Sequence, residues 1–159
     1  MGESLVVMKI NGREYTAKVD NRMLLCDFIR DVAGLTGTHV GCITGNCGAC
    51  TVLMDGLTVK SCTILAVQAN GSEITTVEGL SNGLALNPIQ ETFHRNYAVQ
   101  CGFCTPGMLI TVHYLLSKKT PMSVDEIREK LSGNLCRCTG YVNIVKSIAE
   151  LLKREGMLK

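Results

Sequence analysis

Tryptophan is missing from the chain, and the aromatic residues Phe, Trp and Tyr together make up 4% of it. Charge is sparse as well: 19% of the residues are Asp, Glu, Lys or Arg, against roughly 25% in an average soluble domain. Sixteen basic residues stand against fourteen acidic ones, for a net charge of +2. No basic stripe with interleaved aromatics occurs, which argues against nucleic-acid binding. No apolar run approaches the roughly 18 residues of a membrane span. The opening MGESLVVMKINGREY has no basic segment followed by an apolar one, and its sixth residue is neither Ser nor Thr. It reads as neither a secretory signal nor a myristoylation site, so a cytoplasmic protein is expected. No H-E-x-x-H, G-x-S-x-G, P-loop or G-x-G-x-x-G pattern is found, and the chain shows no evident substrate chemistry of its own. Apolar content is ordinary at 46% while mean hydropathy is positive at +0.19. That fits surface buried against partner subunits and equally a compact, cofactor-filled protein.

What the chain does have is nine cysteines in 159 residues. Without an export signal, clustered thiols point away from disulfides and toward metal ligands or redox groups. A chain of this length makes one domain or two small ones. A half of about 80 residues has a thin core and gains from a staple.

Residues 4–10 (SLVVMKI) and 14–19 (EYTAKV) read as strands joined by Asn11-Gly12, both tolerant of positive φ. A helix is predicted over about 22–33, with Leu24, Leu25, Phe28, Ile29 and Val32 on one face. Residues 36–50 are rich in Gly, Thr and Asn and read as loop. Short strands are predicted at 51–54, 57–61 and 73–77, completing a small α+β unit that ends near residue 78. The second half is helical. Asn87-Pro88 opens a helix to about 99, and Thr105-Pro106 opens another to about 118 with Met108, Leu109, Val112, Leu115 and Leu116 on one face. Ser123 to Glu126 is a capping box. A last helix begins near 140 and carries Tyr141, Ile144, Val145, Ile148, Leu151 and Leu152 on one face. Four amphipathic helices imply a small bundle. The boundary is placed in 79–86 (GLSNGLAL), dividing the chain into 1–78 and 79–159.

Cys42, Cys47 and Cys50 have the spacing C-x4-C-x2-C, and Cys62 follows after eleven residues. This is the plant-type ferredoxin arrangement for a 2Fe–2S cluster. Gly41, Gly45, Gly48 and Ala49 let the backbone wrap closely and aim N–H groups at sulfur. Zinc is the rival, but zinc sites pair two cysteine knuckles, whereas Cys62 is solitary. Cys101-Gly102-Phe103-Cys104 alone could be a reactive dithiol at a helix start. Cys136-Arg137-Cys138 at a second helix start lets the two pairs close one four-thiolate site. Arg137 either offsets the charge of such a site or is simply solvated. Only Cys26 is left over, and it reads as a packing residue. His94 and His113 fall in helical patterns, and His39 in the loop before Cys42; none reads as a ligand.

GCITGNCGACTVLMDGLTVKSC, QCGFCTPGM and SGNLCRCTGY together resemble the small iron–sulfur subunit of the molybdenum hydroxylases, the xanthine oxidase family. The resemblance runs from about residue 5 to 155. VKSCT, AVQANG, EITTVEGL and GYVNIVK look closest to small subunits of carbon monoxide dehydrogenase and aldehyde oxidoreductases. The resemblance implies an α+β chain with two 2Fe–2S clusters. An N-terminal β-grasp, ferredoxin-like domain would use Cys42, Cys47, Cys50 and Cys62. A C-terminal four-helix bundle would use Cys101, Cys104, Cys136 and Cys138. It further implies that Gln100 contacts the molybdopterin cofactor and that Cys138 is the ligand nearest to it. Electrons would pass from molybdopterin through the second cluster, then the first, to FAD. Both larger cofactors would reside in partner subunits, a large molybdopterin-binding and a medium FAD-binding one, assembled as a dimer of heterotrimers. The reaction implied is oxidation of an aldehyde or carbon monoxide, with a purine, an N-heterocycle or hydroxybenzoyl-CoA as alternatives. A free-standing ferredoxin-like carrier is the reading from another class, and a zinc-stapled interaction module a third.

Overall fold

The computed structural model describes residues 2–81, 83 and 85–159. Strands β1 (Glu3–Ile10) and β2 (Arg13–Asp20) pair antiparallel. They turn at Asn11 and Gly12, both at positive φ, the geometry that matches strand twist in a two-residue hairpin. Alternation along β1 buries Val6, Met8 and Ile10. Strands β3 (Thr51–Met54), β4 (Leu57–Lys60) and β5 (Glu73–Thr75) complete a five-stranded sheet of order β2-β1-β5-β3-β4. β1 and β5 run parallel at its centre, and the other pairs are antiparallel. Val6, Ile10, Leu25, Phe28, Ile29, Val52 and Ile74 share the core beneath the sheet.

The expected first helix is shorter and wider than its pattern implies. Only α1 (Leu25–Asp27) is α-helical, and Phe28–Val32 continues as a π-turn, closed by Ala33 N–H donating to Phe28 O at 2.9 Å. Leu24 cannot start a helix, because it lies in an extended bridge to Leu65. The wider turn rotates Val32 toward solvent while Phe28 and Ile29 stay buried. The strand expected over 73–77 stops at Thr75. The Asn11 side chain captures Thr76 through its amide (2.9 Å) and hydroxyl (2.8 Å), and a 3-10 turn follows over Val77–Leu80. The strand expected to reach 61 likewise yields to a 3-10 turn, Ser61–Thr63, which carries Cys62.

Four helices follow: α2 (Pro88–Arg95), α3 (Thr105–Ser117), α4 (Val124–Lys130) and α5 (Val142–Arg154). The boundary expected within 79–86 includes Asn82 and Leu84, which lie outside the described residues. Reciprocal capping boxes start α2 (Asn87 with Gln90) and α4 (Ser123 with Glu126). α2 ends at Arg95, short of the expected 99, and Tyr97 then takes a positive φ. Ile89, Phe93, Met108, Val112, Ile127, Leu131, Ile144, Ile148 and Leu152 share the second core.

α3 does not have the single apolar face its pattern implies. Every residue from Pro106 to Val112 is buried, because this helix packs against β3 and β4 as well as α2. A helix apolar all round is a buried helix, and α3 forms a wall common to both halves.

Candidate cluster sites

The loop before β3 and the turn after β4 bring the first thiol set to one end of the sheet. Cys50 and Cys62 are buried and pack together, with Cys26 against them. The amides of Thr44 and Cys47 both lie 3.4 Å from Cys42 Sγ, positioned to donate. Donors on Thr44, then the Cys47 amide, pull the Cys42 thiol down to about 5. Burial, then Cys50, pushes Cys62 up. Ile43, between Cys42 and Thr44, has a φ of 55° and is 62% exposed. A β-branched residue there is strained, by about 1–2 kcal/mol, and the strain turns the loop so that Thr44 N–H faces sulfur.

The second set comes from the N-terminus of α3 and the loop before α5. Cys101 Sγ and Cys138 Sγ lie 3.4 Å apart, and both residues are exposed. Cys104 sits against Cys136; burial, then Cys136, pushes Cys104 up to about 12. Cys136 is pushed up by its own burial, but donors on Thr139 outweigh this and leave its thiol lowered; the Thr139 hydroxyl lies 3.1 Å away. Cys101 is lowered chiefly by the Phe103 amide, whereas Cys138 is raised chiefly by Cys101. In each pair one thiol is held down and the other up, as expected when two close sulfurs compete for one negative charge. Tyr141, at a φ of 66°, fixes this loop: its hydroxyl accepts from Cys136 N–H at 2.8 Å and donates to Asn134 O at 3.3 Å.

Among the described residues, no three His, Cys, Asp or Glu side chains converge tightly enough to hold a single ion. Cys101 meets Cys138, Cys104 meets Cys136, and Cys50 packs on Cys62 with Cys26 behind them; in a binuclear cluster each iron takes two thiolates, so the donor set fits 2Fe–2S. Cys26 is a packing residue as expected, but it sits closer to the site than its helical position suggested; burial, then Asp27, pushes its thiol up to about 12. His39 also has a part the sequence did not reveal. Its ring stacks on Phe103 at 5.0 Å between centroids, and its Nδ1–H donates to Phe103 O at 2.9 Å, tying one cysteine loop to the other. His94 and Arg137 are exposed and His113 half-buried. Gln100 is exposed beside Cys101. Missed altogether were Asn134, Lys60 and Thr111, which the fold brings together between the two sets.

Fold and thiol arrangement define a two-site iron–sulfur protein. The 2Fe-2S iron-sulfur cluster binding domain family matches residues 8–79, and a second 2Fe-2S binding domain family matches residues 76–149. Caffeine dehydrogenase subunit gamma of Pseudomonas sp. is 50% identical over 93% of this chain and 90% of its own. The crystal structure of quinoline 2-oxidoreductase from Pseudomonas putida matches with a TM-score of 0.91 and 48% identity over 98% of both chains. Aldehyde oxidoreductase from Desulfovibrio gigas matches with a TM-score of 0.85 and 38% identity over 91% of this chain but 16% of its own. The chain belongs to the small iron–sulfur, electron-transfer subunits of the molybdenum hydroxylases, the xanthine oxidase family.

Proposed function

We propose that this chain carries electrons between a molybdopterin-binding subunit and an FAD-binding subunit, with Cys42, Cys47, Cys50 and Cys62 holding one 2Fe–2S cluster and Cys101, Cys104, Cys136 and Cys138 the other. The observation that carries the assignment is the meeting of thiols in twos: Cys50 with Cys62, Cys101 with Cys138 and Cys104 with Cys136. Each pair takes one iron, and Cys42 with Cys47 takes the fourth. The clusters supply one-electron exchange; the protein supplies thiolates, N–H donors and burial, which set the potentials. A division near residue 78 is supported by the two family matches meeting at 76–79, with the four later helices acting as one bundle.

Gln100 and Cys138 stand on the exposed rim of the second set, the side at which a molybdopterin-binding subunit docks, and Cys42 and Ile43 face the flavin side. In aldehyde oxidoreductase a comparable unit forms part of a much longer chain. Here the larger cofactors belong to separate subunits, assembled as a dimer of heterotrimers in the cytoplasm. The reaction is hydroxylation of a nitrogen heteroaromatic. Supporting this over an aldehyde are the higher identities to the caffeine and quinoline enzymes than to the aldehyde enzyme. The test is purification of the complex with its two larger chains, iron analysis, and assay with quinoline, a methylxanthine and an aldehyde. Two distinct 2Fe–2S EPR signals and turnover of a heteroaromatic are expected. Zinc in place of iron would sink the ligand reading, and turnover of the aldehyde alone the substrate reading.

A further inference from the structure

Between the two cysteine sets lies a buried polar seam that neither family match assigns. Asn134 is 3% exposed. Its Nδ2 donates to Gly48 O at 3.0 Å and lies 3.4 Å from Thr51 Oγ1, while its Oδ1 accepts from the Thr111 hydroxyl at 2.8 Å. Lys60 Nζ donates to Gly133 O at 2.5 Å and to Thr51 Oγ1 at 3.2 Å. One buried amide and one ammonium thus join the loop of the first set to the loop of the second. Backbones touch here as well: a Cβ on Gly48 or on Gly107 would fall 2.1 Å from the carbonyl oxygen of Gly133 or Gly48 respectively. Directly beside the seam, Leu135 N–H donates to Cys47 O at 2.8 Å.

We propose that Asn134, oriented by Thr111 and assisted by Lys60, is a positioning residue that clamps the Leu135 N–H onto the Cys47 carbonyl, making this hydrogen bond the bridge by which one electron crosses between the two cysteine sets. Cys47 and Cys136 are each bonded to iron in the cysteine reading above, on which this proposal rests. From Cys47 sulfur the path runs along covalent bonds to its carbonyl, over the hydrogen bond to Leu135, and along covalent bonds to Cys136 sulfur. No wider gap has to be crossed. With both clusters bound, the crossing would take one electron from the helical-domain cluster to the other, with no proton transferred. A buried amide between two hydroxyls and a carbonyl has all its partners supplied, so its geometry is fixed; removing it leaves Gly48 O with only its local donors, the Thr51 hydroxyl at 2.7 Å and amide at 3.2 Å, and takes away the side-chain tie that holds the two loops together.

The test compares the intact complex with Asn134→Ala, reading hydrogen exchange in the peptide spanning Leu135 and the rate at which an electron equilibrates between the clusters after flash reduction. The expected result is exchange about tenfold faster and equilibration slowed several-fold, with iron content and both EPR signals retained. Should Asn134→Ala fail to assemble, Thr111→Val removes the hydroxyl that orients the amide and shifts both readouts in the same direction by less. Unchanged exchange and equilibration in the variant that assembles would overturn the clamp. Absence of one of the two EPR signals from the unmutated complex would overturn the cysteine reading itself, and the clamp with it.

Discussion

Replacing Gly48 with alanine tests the contact between the halves most directly. Two costs arise together. Gly48 has a φ of +75°, and a side chain in that region costs about 1–2 kcal/mol. The new Cβ would also lie 2.1 Å from Gly133 O, 2.8 Å from Asn134 Nδ2 and 2.8 Å from Lys60 Nζ. The lysine can swing away; the backbone carbonyl cannot, and overpacking of this kind costs about 1–3 kcal/mol. Gly48→Ala should therefore destabilise by about 2–5 kcal/mol. Two controls separate the costs. Gly12 has a φ of +81° and open space around it, so Gly12→Ala carries the backbone cost alone. Gly107 lies inside α3 with its prospective Cβ 2.1 Å from Gly48 O, so Gly107→Ala carries the collision without the left-handed backbone. The assay is thermal bleaching of the visible iron–sulfur absorbance in the intact complex, scanned at one rate for all three. At roughly 2–4 °C per kcal/mol for a chain of this size, Gly48→Ala should bleach about 4–20 °C earlier than the unmutated protein. Bleaching no earlier than in Gly12→Ala would refute the close approach of the two loops.

Cys104→Ala should abolish one 2Fe–2S EPR signal and leave the other, while Cys62→Ala should do the reverse; loss of both signals from either would contradict two independent sites. Asn87→Ala and Ser123→Ala each remove a helix N-cap and should destabilise by about 1 kcal/mol, readable as an earlier loss of far-UV helical signal. Backbone and side-chain donors at Ser123, then Lys159, hold the Glu126 carboxyl below its ordinary value. The folded pKa is the lower one, so the contribution is present above the ordinary glutamate range and fades as pH falls through the folded value. The acid-induced loss of stability should therefore be shallower in Glu126→Gln than in the unmutated protein between about pH 5 and pH 3.

The clustering of the cysteines, the two hairpin turns, the Asn87-Pro88 helix start and the capping box at Ser123 are local features, and they were legible because spacing or a local backbone demand fixes the residue type; the box that Gln90 completes with Asn87 was not read. Asn11-Gly12 is readable in isolation because the turn requires positive φ at both positions. Phe28–Val32 misled because apolar spacing cannot distinguish an α-turn from a π-turn, and it was the extended bridge at Leu24, set by distant Leu65, that shifted the start. α3 misled for a related reason. Its pattern shows which residues are apolar, not how many neighbours cover them, and Gly107 and Thr111 look unremarkable until β3 lies against them. Asn134 was invisible for the strongest reason: its partners Gly48, Thr51 and Thr111 are remote in the chain. A signal did exist. Asn in the run SGNLC, one residue removed from a cysteine pair and next to a glycine, is a polar residue at a place that the fold makes interior.

The wall that α3 forms between the two halves also sets an order of events during synthesis. Strands β1 to β5 leave the ribosome before residues 105–117 exist, so one face of β3 waits uncovered until α3 arrives. The loop holding Cys42, Cys47 and Cys50 meanwhile lacks its contacts with Gly107 and Asn134. A nascent chain stalled at the end of β5 would present thiols on an open, unsupported loop beside exposed apolar surface. The first cysteine loop therefore gains its full set of neighbours only after residues 105–134 have been made.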